Sequence, residues 1–278
     1  MKRGYVDTPE GQVHYREEGT GEPLLLLHKA GLSSDEFTEM LPFLGKKYRA
    51  VAMDALGYGN TEMPVPEPGF DDYVKNILHF LDAMKLKKTN IAGHLLGSSF
   101  AVEIAAVHPE KVKKLILWDG IFLDEVERKA TQEEYSTEHM EFKVDGSHLM
   151  KVWNSRNPKP DSNLKLIQRS AIEYMKSSLG EASGVSHRAL FSYNIGPKLP
   201  MIKCPTLVMH GSGGPLFARQ AAIRNAIPGC REVTLDISGP FPFWEQPEAV
   251  AKVSWSSCKS NKEAHYRAKT ISPPVSDA

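Results

Sequence analysis

Four side chains of this sequence stand where they could take part in chemistry: Lys29, His94, Ser99 and Asp119. An imidazole such as His94 can take up and return a proton. A hydroxyl such as that of Ser99 attacks a carbonyl only when a base removes its proton and a third group orients that base. Asp119 ends the apolar run Leu115-Ile116-Leu117-Trp118 and can serve as an acid or simply cap a turn. Lys29 follows Leu24-Leu25-Leu26-Leu27-His28. It can meet a carboxylate or enolate on a ligand, or point to solvent as most lysines do. Seven further histidines (His14, His79, His108, His139, His148, His187 and His265) show no mutual metal spacing, and no HExxH or His/Cys cluster occurs. Cys204, Cys230 and Cys258 are far apart and lack a CxxC pair, so free thiols in a reducing compartment are expected. No Walker motif occurs and no GxGxxG follows an apolar run. The sequence therefore implies no cofactor, neither metal nor nucleotide.

The elements that must hold these residues are legible as an alternation. Short apolar runs at 24–27, 50–53, 89–92, 115–118 and 206–209 are bounded by turn residues. They alternate with helical patterns over roughly 33–47, 70–86, 97–108, 216–227 and 243–256. Continuously apolar strands suit a parallel sheet covered on both faces, and strand-helix alternation winds such a sheet with right-handed crossovers. The expected fold class is α/β. The segment 122–198 differs: it is rich in charge and Met, has no strand-like run, and reads as helical over 125–140 and 164–179. It is expected to form a helical cap inserted into a core of 1–121 and 199–255. The polar stretch 256–278, with Ser272-Pro273-Pro274, is expected to be a disordered tail.

The 34 Lys and Arg balance the 34 Asp and Glu. No global field favours nucleic acid or an anionic membrane. No apolar run approaches a membrane span, and Met1-Lys2-Arg3-Gly4-Tyr5 is followed by polar residues instead of a signal-peptide core. The expectation is a cytoplasmic protein whose partner is a small hydrophobic molecule.

Four landmarks, in order, give the chain a family likeness. They are Leu24 to Gly31 (LLLLHKAG), Met53 to Gly59 (MDALGYG), Gly93-His94-Leu95-Leu96-Gly97, and the pair His210 to Leu216 with Ser238 to Glu248. Over roughly residues 5–255 the sequence resembles the α/β-hydrolase superfamily. The likeness implies a mostly parallel, doubly wound sheet with an inserted cap, an oxyanion loop near His28, a nucleophile elbow G-x-S-x-G at Gly93–Gly97, and an acid and a histidine in the last two segments.

The residues at those positions depart from what the likeness implies. Leu95 is at the elbow tip, Gly214 at the acid position and Pro240 at the base position. None can attack, orient or take a proton. Lys29 also stands where the family usually has Gly. Gly97-Ser98-Ser99-Phe100-Ala101 is a shifted, looser elbow, but it places Ser99 inside the following helix. His94 has a packing role in many relatives, and Asp119 occupies a strand end that some relatives use for their acid. His28 is expected to brace the oxyanion turn.

Loss of ordinary serine-hydrolase turnover is therefore expected. A pocket is expected between core and cap, lined by His28, Lys29, Leu95, Leu96, Trp118, Phe122 and Phe241. It would serve binding or non-hydrolytic chemistry such as cyclisation, elimination or isomerisation. Two other readings stand beside this one: a hydrolase with relocated groups, and an interaction scaffold with a filled or collapsed pocket.

Overall fold

Leu24, Leu25, Leu26 and Leu27 are all buried because both faces of their strand are covered. Leu25 and Leu27 belong to one core cluster, and Leu24 and Leu26 to another on the opposite face. The same division splits Val51 and Met53 from Ala50 and Ala52. Each fully buried leucine of this kind contributes about 1.5–3 kcal/mol of transfer free energy. The computed structural model describes residues 1–256 other than Glu138, Pro215 and Ser238, and gives the backbone but not the side chains of 254–256. Apart from the helical backbone of Ser256, the tail expected over 256–278 lies outside the described residues.

Among the described residues eight strands form one sheet: β1 (Lys2–Thr8), β2 (Gly11–Glu18), β3 (Glu22–Leu27), β4 (Tyr48–Met53), β5 (Thr89–His94), β6 (Val112–Trp118), β7 (Thr206–Gly211) and β8 (Arg231–Leu235). Their order is β1-β2-β4-β3-β5-β6-β7-β8. β2 runs antiparallel to both β1 and β4, and every other pairing is parallel. β5 is thus central, which puts the elbow that follows it in the middle of the sheet.

The first helical expectation, 33–47, is corrected. Ser33 caps a 3-10 turn at Ser34–Phe37, and a separate one-turn helix α1 covers Leu41–Leu44. Pro42 has no N–H for a continuous ladder and is tolerated only at a helix start, where it now sits. The other core helices are α2 (Phe70–Ala83), α3 (Leu96–Val107), α8 (Phe217–Ala226), α9 (Pro242–Glu245) and α10 (Pro247–Ser256). α2 buries Phe70, Tyr73, Val74, Ile77, Phe80 and Leu81, the stripe that a 3.6-residue period brings to one face.

Between β6 and β7 the chain forms four helices: α4 (Glu125–Tyr135), α5 (Ser147–Ser155), α6 (Leu164–Lys176) and α7 (Ala182–Ser192). Polar contacts fix this cap to the core. Arg169 on α6 donates to Asp35 at 2.6 Å and Glu39 at 2.8 Å and lies over the Trp244 ring. Glu173 accepts from the Ser33 hydroxyl, and Tyr58 and Ser186 pair at 2.6 Å. Among the described residues no helix is long and apolar enough to cross a membrane.

Candidate active site

The strand-turn-helix expected at Gly93–Gly97 is formed by β5, Leu95 and α3. Leu95 has φ 47° and ψ −110°, a conformation that side chains rarely adopt. Its N–H donates to the Trp118 carbonyl at 3.0 Å, and its carbonyl accepts from Ser98 N–H at 2.9 Å. The flanking glycines are dictated by contact. A Cβ on Gly93 would lie 2.3 Å from the Gly97 carbonyl oxygen, and one on Gly97 would lie 2.2 Å from that of Leu27. Asp119, at the end of the neighbouring strand β6, also has a positive φ, 46°. Two strained non-glycine residues therefore end adjacent strands at one place, a pattern that clusters at functional sites.

A cavity of about 410 Å³ opens above these strand ends, within the usual range for small-molecule sites. Its floor holds His94, Leu95, Trp118 and Asp119. Lys29, Ile237, Gly214 and Pro240 supply the core wall, and Arg156, Asn157, Lys159, Ser162 and Ile167 come from the cap. Lys29, Leu95 and Trp118 are the expected lining residues that reach this cavity, and Leu95, Gly214 and Pro240, the positions matched in the sequence to a triad, all border it.

Four expected lining residues do not border it. His28 is buried with both ring nitrogens occupied, accepting from Ala55 N–H at 3.0 Å and pairing with the Lys29 carbonyl at 2.8 Å. Leu96 faces the core, because the helix starting there turns it beneath the sheet. Phe122 packs against the core and near Gly196, as the chain leaving β6 turns away toward α4. Phe241 stacks on Trp244 at 5.1 Å in a cluster with Leu32 and Ile167, behind Lys29. Beside Lys29, the one charged lining residue expected, the cap brings Arg156 and Lys159 to the cavity.

Ser99 is apart from this arrangement. It lies within α3, fully buried, and its hydroxyl makes no hydrogen bond. The hydroxyl of Ser98 is committed to the Gly93 carbonyl at 2.7 Å and the Trp118 carbonyl at 3.1 Å.

A line of titratable groups runs across the floor. His94 Nδ1 lies 2.7 Å from Glu36 Oε1, and its Nε2 lies 3.9 Å from Asp119 Oδ2. Burial alone would raise the Glu36 carboxyl, but His94, Lys29 and the Lys29 backbone N–H together hold it below the usual carboxylate range. A carboxylate at Glu36 accepts from Nδ1–H, which leaves Nε2 as the ring nitrogen facing Asp119. Burial pushes the Asp119 carboxyl up, against the opposing influence of His94 and His210. Its Oδ1 is buried without a hydrogen bond. A Cβ on Gly214 would stand 3.3 Å from this oxygen, so the bare glycine leaves room for the Asp119 carboxyl.

Lys29 reaches across the cavity edge. Its Nζ donates to the Pro240 carbonyl at 3.1 Å and lies 5.3 Å from the Phe241 ring centre, while its backbone N–H donates to Glu36 at 3.0 Å. Desolvation lowers its pKa, with Glu36 opposing. Glu36, Arg156 and Lys159 are site residues that sequence reasoning missed: Glu36 lies in a segment read as an ordinary helix with nothing local to mark it as the partner of His94, and Arg156 and Lys159 lie in the charge-rich cap segment. Among the described residues no group of three or more His, Cys, Asp and Glu is arranged to hold a metal ion.

The comparisons agree with this architecture. The sequence family described as alpha/beta hydrolase fold matches residues 22–247, and the chain belongs to it. It is 30% identical over 266 residues to the 2-hydroxy-6-oxo-6-(2'-aminophenyl)hexa-2,4-dienoic acid hydrolase of Metapseudomonas resinovorans, covering 91% of this chain and 89% of that protein. It is 27% identical over 110 residues to the (E)-2-((N-methylformamido)methylene)succinate hydrolase of Acinetobacter baylyi, where the match spans 40% of this chain and only 42% of that relative. The solved enol-lactonase of Burkholderia xenovorans superposes with a TM-score of 0.75 at 20% identity, covering 90% of this chain and 97% of that one. At that identity the superposition speaks for the fold alone.

Proposed function

We propose that this α/β-hydrolase-fold protein does not work through a serine nucleophile. Its cavity binds a small organic molecule for recognition or for proton-transfer chemistry such as isomerisation, elimination or cyclisation. The observation that carries the reading is Leu95 at the strained turn between β5 and α3. An isobutyl group there cannot form an acyl intermediate, and neither Gly214 nor Pro240 supplies an orienter or a base. Near the turn the hydroxyl of Ser98 is committed and that of Ser99 is buried away from the floor, and Ser162, on the cap wall of the cavity, accepts from the Lys159 N–H at 2.8 Å with no histidine bonded to it among the described residues. What remains is an acid–base pair. Glu36 orients His94 through Nδ1 and leaves Nε2 toward Asp119, and burial moves the Asp119 carboxyl upward, the direction a general acid needs. The open cavity weighs against a pure scaffold role.

The test is p-nitrophenyl butyrate turnover by the purified protein against a heat-killed control, together with labelling by a fluorophosphonate. Neither is expected. Heat-sensitive turnover with covalent labelling would overturn the reading. A second reading, hydrolysis by a water that His94 activates, has support from the line Glu36–His94–Asp119 and from the hydrolase names of the relatives. It expects turnover without labelling, abolished in His94→Ala.

A further inference from the structure

Arg156 occupies an unusual position for a cation. It caps the C-terminal end of α5 and borders the cavity above the elbow. Its Nε and Nη2 are both buried without a hydrogen-bond partner, and no carboxylate of the described residues pairs with it. Its contact is the face of the Tyr174 ring, 4.7 Å from the guanidinium carbon, which holds the plane of the fork but satisfies none of its N–H groups. A guanidinium has five donors in a rigid plane that matches a carboxylate. Burying it unpaired costs free energy that an incoming anion would return.

The second cation on the cavity, Lys29, is held at the opposite wall by the Pro240 carbonyl. Arg156 is close enough to depress its charging, which is the mark of two like charges sharing one space. Lys159 adds a third positive group at the cap side. On the core side Glu36, Asp119 and Glu245 all act on Lys29, so that ammonium is answered by carboxylates. Among the described residues Arg156 has no such carboxylate and no hydrogen bond on Nε and Nη2. Trp118, Leu95, Ile167 and Ile237 give the cavity apolar walls.

We propose that the cavity takes a small organic acid, its carboxylate received by the Arg156 fork on the cap side with Lys29 facing it, and its apolar body resting against Trp118, Ile167 and Ile237. This rests on the reading of the cavity as the ligand site and adds the ligand class and the residue that selects it. The guanidinium is a selecting device because a neutral amide of the same shape accepts from only one side of its fork and leaves its charge unpaired.

Phenylacetate and its neutral isostere phenylacetamide, titrated calorimetrically into the full-length protein, test it. Phenylacetate is expected to bind at least about tenfold more tightly. Arg156→Met is expected to erase that preference, weakening phenylacetate by at least about tenfold and the amide by less. In the unsubstituted protein, phenylacetate is also expected to protect Arg156 from phenylglyoxal, read by peptide mass mapping, so that the answer does not depend on the variant folding. Equal affinity for acid and amide, a preference that survives Arg156→Met, no saturable binding of either compound, or no protection would each overturn the proposal. Ester turnover with labelling, by contrast, would sink the nucleophile-free reading and leave the acid preference standing.

Discussion

Replacing Leu95 by serine puts a hydroxyl at the turn between β5 and α3, yet we expect almost no esterase activity from it. Leu95 is half-buried and borders the cavity, so the loss of its side chain costs about 1–2 kcal/mol of burial and leaves the fold in place. The chemistry is limited by what surrounds the new hydroxyl. Pro240 has no imidazole, and its carbonyl accepts from Lys29. Gly214 has no carboxyl. His94 precedes the turn and is tied by Nδ1 to Glu36. Loss of the base alone lowers the turnover of an intact triad by about 10⁶. From a typical rate of about 10 s⁻¹ this leaves about 10⁻⁵ s⁻¹. Circular dichroism would verify folding, and p-nitrophenyl butyrate turnover with fluorophosphonate labelling would read the result. A rate above about 0.1 s⁻¹ in Leu95→Ser would refute the argument, because some group other than Pro240 would then be acting as base.

Three further outcomes follow from the same geometry. Gly97→Ala drives a Cβ against the Leu27 carbonyl, where backbone lies on both sides. A loss of about 1–3 kcal/mol is expected, or a melting temperature lower by roughly 2–4 °C per kcal/mol in calorimetry; an unchanged melting temperature would count against the close packing. Asp119→Asn is expected to melt higher than the unsubstituted protein at pH 8, with the gap narrowing toward pH 4. The folded Asp119 carboxyl titrates above its unfolded value, so its ionisation removes stability as pH rises from about 4. A variant less stable at pH 8 would mean that the charge is compensated. Ser99→Ala deletes a buried hydroxyl without a partner, so its stability should be unchanged or higher by up to about 1 kcal/mol; destabilisation beyond 1 kcal/mol in urea titration would show that the hydroxyl is engaged.

How much of this was legible in the sequence depended on whether the signal was local. β3 through β7 appear as apolar runs because both faces of each are covered, and that pattern needs no partner to be read. β1, β2 and β8 were missed because they carry charge on one face. β1 alternates exposed with half-buried residues, and β2 hides Arg16 by pairing it with Asp35. Ion pairs of that kind are set by residues brought together from elsewhere in the chain. The break in the first helix was legible in principle, since Pro42 is its cause.

The candidate site divides in the same way, and the division bears on what the protein does. Gly93, Leu95 and Gly97 are adjacent, so their turn could be read as a unit. The charges that give the cavity its character are not adjacent. Glu36 reaches His94 from across 58 positions, and Arg156 reaches the cavity only because Arg169 and Glu173 dock the cap over the sheet. A reading of the strand ends alone gives an apolar pocket, because Leu95, Gly214 and Pro240 replace polar groups. The cap reverses that reading. It places a guanidinium without a carboxylate partner among the described residues over a floor where Leu95 stands at the turn between β5 and α3. On the proposed reading, selection of an acid falls to the cap and proton transfer to His94 and Asp119 on the floor, so the two functions rest on separate segments. Changes to Arg156 should alter affinity without touching the floor, and changes to Asp119 should alter pH dependence without touching ligand class.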